Sequence, residues 1–183
     1  MKEQVLVGID PGTNVLGFSV IKVVGSEIHL VEMGVVNMQK LSTHQDKLLH
    51  IFQSVAKLIL KYRPAEMAVE APFYGKNPQS MLKLGRAQGV AIAAALTREV
   101  KVFEYSPKKI KLAITGSGNA SKEQVAAMLR HLVVGDTTHA FLDASDALAT
   151  AVCHCQQSKL ATSAPHFTDW NAYIKENPGK IRG

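Results

Sequence analysis

The spacing of apolar and polar positions changes period several times along the chain, and each change marks an element. Residues 4–9 (QVLVGI) alternate weakly and are rich in Val and Ile, which suits a strand. The DPGTN that follows is turn chemistry. Residues 16–24 read as a second strand, Gly25-Ser26 turns the chain, and residues 27–36 read as a third. Strands joined by such short turns are antiparallel neighbours. From about Thr43 the period lengthens: Leu48, Leu49, Phe52, Val55, Leu58 and Ile59 recur at helical spacing. This helix is expected to end near Tyr62, because Pro64 disfavours helix just before it. Residues 66–70 (EMAVE) predict a short strand, residues 79–97 a helix and residues 100–105 another strand. Ser106-Pro107 is a helix start, residues 115–120 a flexible break, and Ser121 with Gln124 a capping box opening a helix that runs to about Leu132. Residues 139–155 form an Ala-rich final helix. The order predicts an α/β fold: a mixed five-stranded sheet, three antiparallel strands then parallel α/β crossovers, flanked by helices.

Composition narrows this picture. A chain of 183 residues, 46% hydrophobic, suits one domain with a sizeable core and excludes global disorder. Lys plus Arg is 21 and Asp plus Glu 15, a net +6 that fits a polyanionic partner as well as an ordinary basic protein. Cys153 and Cys155 are spaced too closely for the usual zinc pairs and no second pair exists, so a reduced, cytoplasmic chain is expected. Neither a signal peptide nor a run long enough to cross a bilayer is expected. After about Gln156 the composition shifts to Ser, Ala, Thr, Lys and Pro. The expected organisation is a domain at 1–157 and a tail at 158–183. The tail is read as partly disordered or as carrying a short docking helix, on which Phe167, Trp170 and Ile174 could share one face.

Two of the apolar strands end in carboxylates, Asp10 and Glu70. Asp143 and Asp146 lie three apart, hence on one face of the final helix. Their neighbours Leu142, Ala144, Ala147, Leu148 and Ala149 are apolar or small, which allows that helix to pack closely on the sheet. Four carboxylates at one sheet edge repel one another unless a cation offsets them. Oxygen-only ligands suit Mg²⁺ or Mn²⁺. Two such ions about 3.5–4 Å apart can hold a phosphodiester between an attacking water and a leaving oxygen. Taken singly, each acid has a plainer role: strand-end turn former, helix cap or solvated residue. The joint pattern is more specific than any one position.

Basic and aromatic residues flank these positions. Phe73 and Tyr74 sit on a Pro/Gly loop after Glu70, where an aromatic either stacks on an unpaired base, worth about 1–3 kcal/mol, or packs beneath the loop. Lys76 shares that loop, Lys83 and Arg86 lie on the next helix, Lys108, Lys109 and Lys111 crowd the helix after Pro107, and Lys122 follows the Gly-rich break. Such runs are often only solvated, but here they recur beside the acidic positions and suit DNA phosphates. Gly85 and Gly89 are four apart on a helix, a spacing that admits another helix from the same subunit or from a second one.

Three segments, GIDPGT, VEAPFYGKNPQSMLKLGRAQG and LDASDALATAVCHC, resemble the RuvC family of crossover-junction endodeoxyribonucleases, the Holliday-junction resolvases. The likeness runs from about Val5 to Cys155 and rests most on KNPQSMLKLGRAQGV. It implies an RNase H-like fold and a homodimer that nicks two opposed strands of a four-way DNA junction in recombination and repair. It also implies Mg²⁺-dependent hydrolysis. Asp10, Glu70, Asp143 and Asp146 fall at the family's catalytic, metal-holding positions. Some relatives carry His at the last of these. Phe73 falls at the aromatic that stacks at the junction centre, and Lys111 and Lys122 at DNA contacts. A link to the RuvAB branch-migration complex is a further implication. Three other readings fit parts of the pattern. A phosphotransferase of the actin/hexokinase type shares a DxGT loop but needs two lobes. A non-catalytic junction-binding module would use the same lysines and aromatics. An RNase H-like nuclease acting on RNA–DNA hybrids would use the same acids.

Overall fold

A computed structural model describes residues 3–72, 77–137 and 142–163. In chain order they form β1 (Glu3–Asp10), β2 (Val15–Val24), β3 (Glu27–Asn37), α1 (His44–Tyr62), β4 (Glu66–Glu70), α2 (Pro78–Leu96), β5 (Lys101–Tyr105), α3 (Pro107–Thr115), α4 (Lys122–Leu132) and α5 (Leu142–Ser163). The sheet order is β3-β2-β1-β4-β5. β1 and β2 pair antiparallel, as do β2 and β3, whereas β1 with β4 and β4 with β5 are parallel. This is the mixed, helix-flanked sheet that the periodicity predicts.

Strand alternation sorts the side chains into two apolar layers. Val7, Ile9, Met67 and Val69 join the core beneath α1 and α2. Leu6 and Ala68 join the core beneath α3, α4 and α5. Continuing the period of two puts Asp10 on the face of Leu6 and Glu70 on the face of Ala68. Both carboxylates therefore belong to the α5 side, at the carboxyl ends of adjacent parallel strands.

The helix ends follow local chemistry. Ser106 caps α3 by accepting from Lys109 N, Pro107 takes the first turn, and Gly116 leaves the helix in the left-handed region at φ 76°. Ser121 and Gln124 close the capping box of α4, with Ser121 N donating to Gln124 Oε1 at 2.8 Å and Gln124 N to Ser121 Oγ at 3.3 Å. α1 ends at Tyr62, two residues before Pro64.

Two differences from the periodicity stand out. In α1 the buried residues are Ile51, Val55, Leu58 and Ile59, while Leu49 is 56% and Phe52 36% exposed. The apolar arc of this helix is wider than the core can cover. α5 continues to Ser163, beyond the residue 155 boundary of the expected helix. The residues past Cys155 include good helix formers, so a change of composition is not a stop signal. The tail residues Phe167, Trp170 and Ile174 lie outside the described residues.

α5 is also pinned by a polar network. His154, 2% exposed, receives or donates at both ring nitrogens: Nδ1 lies 2.8 Å from the Tyr105 hydroxyl and Nε2 2.9 Å from Glu66 Oε2. Phe103 stacks on its ring at 4.5 Å, and Gln4 Nε2 donates to the same Glu66 oxygen at 3.1 Å. The flanking Cys153 and Cys155 are buried and form no disulfide. Burial pushes the Cys153 thiol up to about 11, so this thiol packs as an apolar group. Among the described residues, no helix is long and apolar enough to cross a membrane.

Candidate metal and nucleic-acid site

The site exists because α5 lies almost on the backbone of the sheet. A Cβ on Gly8 would fall 2.1 Å from the carbonyl oxygen of Ala147, and one on Gly17 would fall 1.9 Å from that of Asp143. Both glycines are inside strands, where a missing side chain marks a close backbone approach. On α5, Ala144, Ala147 and Ala151 are fully buried. Ser19 Oγ, also buried, donates to the Ala147 carbonyl at 3.0 Å and ties helix to strand. This contact fixes the height and rotation of the first turns of α5, which carry Asp143 and Asp146.

With α5 seated, Asp10, Asp143 and Asp146 each present an oxygen within 4.8 Å of the others. All three are partly buried. Glu70 is not part of that group of three, but it lines the same cleft with Asp10 and Asp146. The other walls are Pro107, Ile110 and Lys111 of α3, Lys122 and Val125 of α4, and Ala149.

The electrostatics report crowding. Burial raises the Asp10 carboxyl to about 8, and the charges of Glu70, Asp146 and Asp143 add to the rise while Lys122 opposes it. Burial raises Glu70 to about 7, with Asp146 adding and Lys122 and Lys111 opposing. Lys122 Nζ donates to Asp146 Oδ2 at 2.5 Å. Burial pulls the Lys122 ammonium down, but the hydrogen bond and charge of Asp146 outweigh it and the net shift is upward. Lys122 and, at Glu70, Lys111 offset only part of this crowding, since both carboxyls remain raised. The donor set is all carboxylate oxygen, and a divalent cation fits it.

The structure separates the other candidate residues. Lys111 and Lys122 line the acidic cleft. Lys83 lies on α2 in a different cleft, beside Thr13 and His44. Lys108 is exposed on α3, its side chain beside Gly118 rather than in either cleft. Phe73 and Lys76 lie outside the described residues, as does Tyr74. Gly85 and Gly89 have nothing within 4 Å of where a Cβ would stand. Packing within the subunit therefore does not require glycine at either position. The residues that sequence reasoning missed are Gly8, Gly17 and Ser19. Their signal was present: a glycine interrupting each of two apolar strands.

Fold and site together define a nuclease of RNase H-like architecture, with clustered carboxylates at the ends of adjacent strands and lysines at the rim. The family model described as "Crossover junction endodeoxyribonuclease RuvC" matches residues 6–154. A protein of that name from Christiangramia forsetii is 52% identical over 180 residues, covering 98% of this chain and 94% of the relative. Another from Cytophaga hutchinsonii is 51% identical over 180 residues, covering 98% and 89%. Among solved structures, Thermus thermophilus RuvC in complex with a Holliday junction substrate superposes with a TM-score of 0.80 at 30% identity, covering 89% of this chain and 99% of that one. This chain belongs to the RuvC family of crossover junction endodeoxyribonucleases.

Proposed function

We propose that this protein resolves four-way DNA junctions by paired phosphodiester hydrolysis in opposed strands, leaving 5′-phosphate and 3′-hydroxyl ends. The observation that carries the reading is the convergence of Asp10, Asp143 and Asp146 within 4.8 Å, in a cleft that Glu70, Lys111 and Lys122 also line. Asp10, Glu70, Asp143 and Asp146 hold Mg²⁺, two ions per site, with Mn²⁺ able to replace it. When bound, the ions supply Lewis-acid polarisation of the phosphate and a water acidic enough to attack near neutral pH. The protein contributes position and charge. The carboxylates fix the cations at the ends of β1 and β4 and the start of α5. Lys111 and Lys122 attract the phosphate and offset charge developing on its oxygens. Pro107, Ile110 and Val125 form an apolar wall that limits water around the scissile group. Phe73 stacks at the junction centre, and Lys76 and Lys108 add phosphate contacts.

Two cuts in opposed strands need two sites related by symmetry, which a two-fold homodimer provides. The outer face of α2 suits that role: Leu82 is 64% and Leu96 57% exposed, with the open Gly85 and Gly89 between them. The protein acts in the cytoplasm, alongside the RuvAB complex.

The deciding experiment incubates the protein with a synthetic four-way junction, a duplex and an RNA–DNA hybrid, with and without Mg²⁺. Paired nicks in the junction alone, only with the ion and lost in Asp10→Asn while binding persists, are expected. Binding without cutting by either protein would make it a junction-binding module. Preferential cutting of the hybrid would move it to a different RNase H-like activity.

A further inference from the structure

A second cleft lies on the opposite flank of the turn that follows Asp10. Thr13 and Asn14 of that turn, His44 and Lys47 of α1, and Ser80 and Lys83 of α2 line it. Its lining includes two lysines and no carboxylate. Lys47 Nζ donates to Asn14 Oδ1 at 2.7 Å, which holds the ammonium over the turn. His44 Nε2 is buried with no hydrogen-bond partner. Burial lowers the basicity of the His44 ring, and the charges of Arg86, Lys83 and Lys47 lower it further. Among the described residues, neither Lys83 nor Arg86 has an ion-pair partner. Asp46, the acid in the first turn of α1, is engaged by Thr43, whose Oγ1 donates to Asp46 Oδ2 at 2.6 Å and accepts from Asp46 N at 3.1 Å. Positive side chains, the His44 ring and small polar groups thus line one space, where the amino ends of α1 and α2 add to the positive field.

We propose that this cleft holds a backbone phosphate of the junction DNA, away from the scissile one. The proposal rests on the nuclease reading and adds a second anchor to it. The turn carrying Thr13 and Asn14 leaves the strand directly after Asp10, so both clefts open on one rim of the sheet. A strand lying along that rim has its cut phosphate at the carboxylates and another phosphate at Lys47 and Lys83. Two anchors on opposite sides of the Asp10 turn fix the direction and register of the strand, which a single contact leaves free to pivot. The contact is to phosphate, so it positions DNA without reading its sequence.

The test measures binding of the full chain to a synthetic four-way junction without divalent ion, across a salt series. Lys83→Gln and the double variant Lys47→Gln/Lys83→Gln are compared with the parent and with Lys111→Gln. Each cleft lysine removed is expected to flatten the slope of log affinity against log salt by about one and to weaken binding roughly tenfold near 0.1 M salt. Replacing single phosphates by neutral methylphosphonates is expected to reveal a position that weakens the parent and leaves the double variant no weaker. Lys83 is exposed, so its single variant decides the matter if the double variant fails to fold. Unchanged affinity and slope in the cleft variants, with Lys111→Gln weakened, would overturn the second anchor and leave the nuclease reading standing. Weaker binding at an unchanged slope would overturn it too, as a packing effect. A parent that neither binds nor cuts the junction would remove both.

Discussion

The two faces of the sheet solve different problems. The face under α1 and α2 is an ordinary apolar core, filled by Val7, Ile9, Leu16, Val20, Met67 and Val69 against Ile51, Val55 and a row of alanines on α2. The face under α5 gives up side chains where it meets the helix: glycine at 8 and 17, serine at 19, alanine at 144, 147 and 151. The first arrangement gains stability from apolar area. The second gives up some of that area for proximity, because only a helix lying on the strand backbone brings Asp143 and Asp146 to Asp10. Stability of the fold and assembly of the site are thus separable properties of opposite faces, and substitutions should act on them differently.

The sharpest way to break that comparison is at the acids. Asp10→Asn is expected to reduce junction cutting by roughly a thousandfold, since several kcal/mol of charge stabilisation depend on the ion it holds. It is also expected to raise the melting temperature of metal-free protein, because Asn needs neither the proton uptake nor the crowded charge that folding imposes on Asp10. A melting temperature that falls would show that the cluster stabilises the fold unaided. The next largest effect is at the glycines. Gly8→Val meets backbone oxygen that has no room to move, and overpacking of this kind costs about 1–3 kcal/mol or more. Urea unfolding should show that loss together with collapse of cutting. Val55→Ala on the other face is expected to lower stability by a comparable amount while leaving the rate of the folded enzyme nearly intact.

The dependence on pH sharpens the comparison further. Asp10 titrates near 8 and Glu70 near 7 in the folded, metal-free chain, against ordinary values of 3.8 and 4.5. Between those limits the folded chain holds protons that the unfolded chain has already released, so its stability falls as pH rises from about 4 to about 8. Below that window both states are protonated and the penalty vanishes. Mg²⁺ competes with the same protons, so its affinity and its stabilising effect should grow with pH across the window. Denaturant midpoints at several pH values, with and without the ion, measure both trends. A metal-free stability that climbs from pH 5 to 8 would contradict the raised carboxyls. The smallest effect is at the outer surface of α1. Leu49→Ser is expected to change stability by less than about 0.5 kcal/mol, since that side chain is more than half exposed.

The candidate site was legible to different depths at different residues. Asp10 and Glu70 stood out because a charge closing an apolar strand conflicts with its surroundings. Asp143 and Asp146 stood out because a spacing of three places them on one helix face. Ser106 and Ser121 announced the helices that carry Lys111 and Lys122, because capping is local chemistry. Lys83 shows the limit. Its neighbours in sequence suggested the acidic cleft, yet it faces Thr13 and His44 instead. Leu49 and Phe52 show it too: helical spacing revealed an apolar arc but not how far the core reaches around it.

By itself, the order of residues determined the elements, the mixed sheet and the carboxylates available for chemistry, because hydrophobic period, caps and turns act over a few neighbouring positions. Tertiary structure alone decided that a helix beginning at residue 142 lies close enough to a strand ending at residue 10 for three carboxylate oxygens to fall within 4.8 Å. It also decided which lysines join them and which face a separate cleft. Those outcomes depend on how closely distant backbones approach, and the missing side chains of Gly8 and Gly17 control that approach only after the sheet and helix have met.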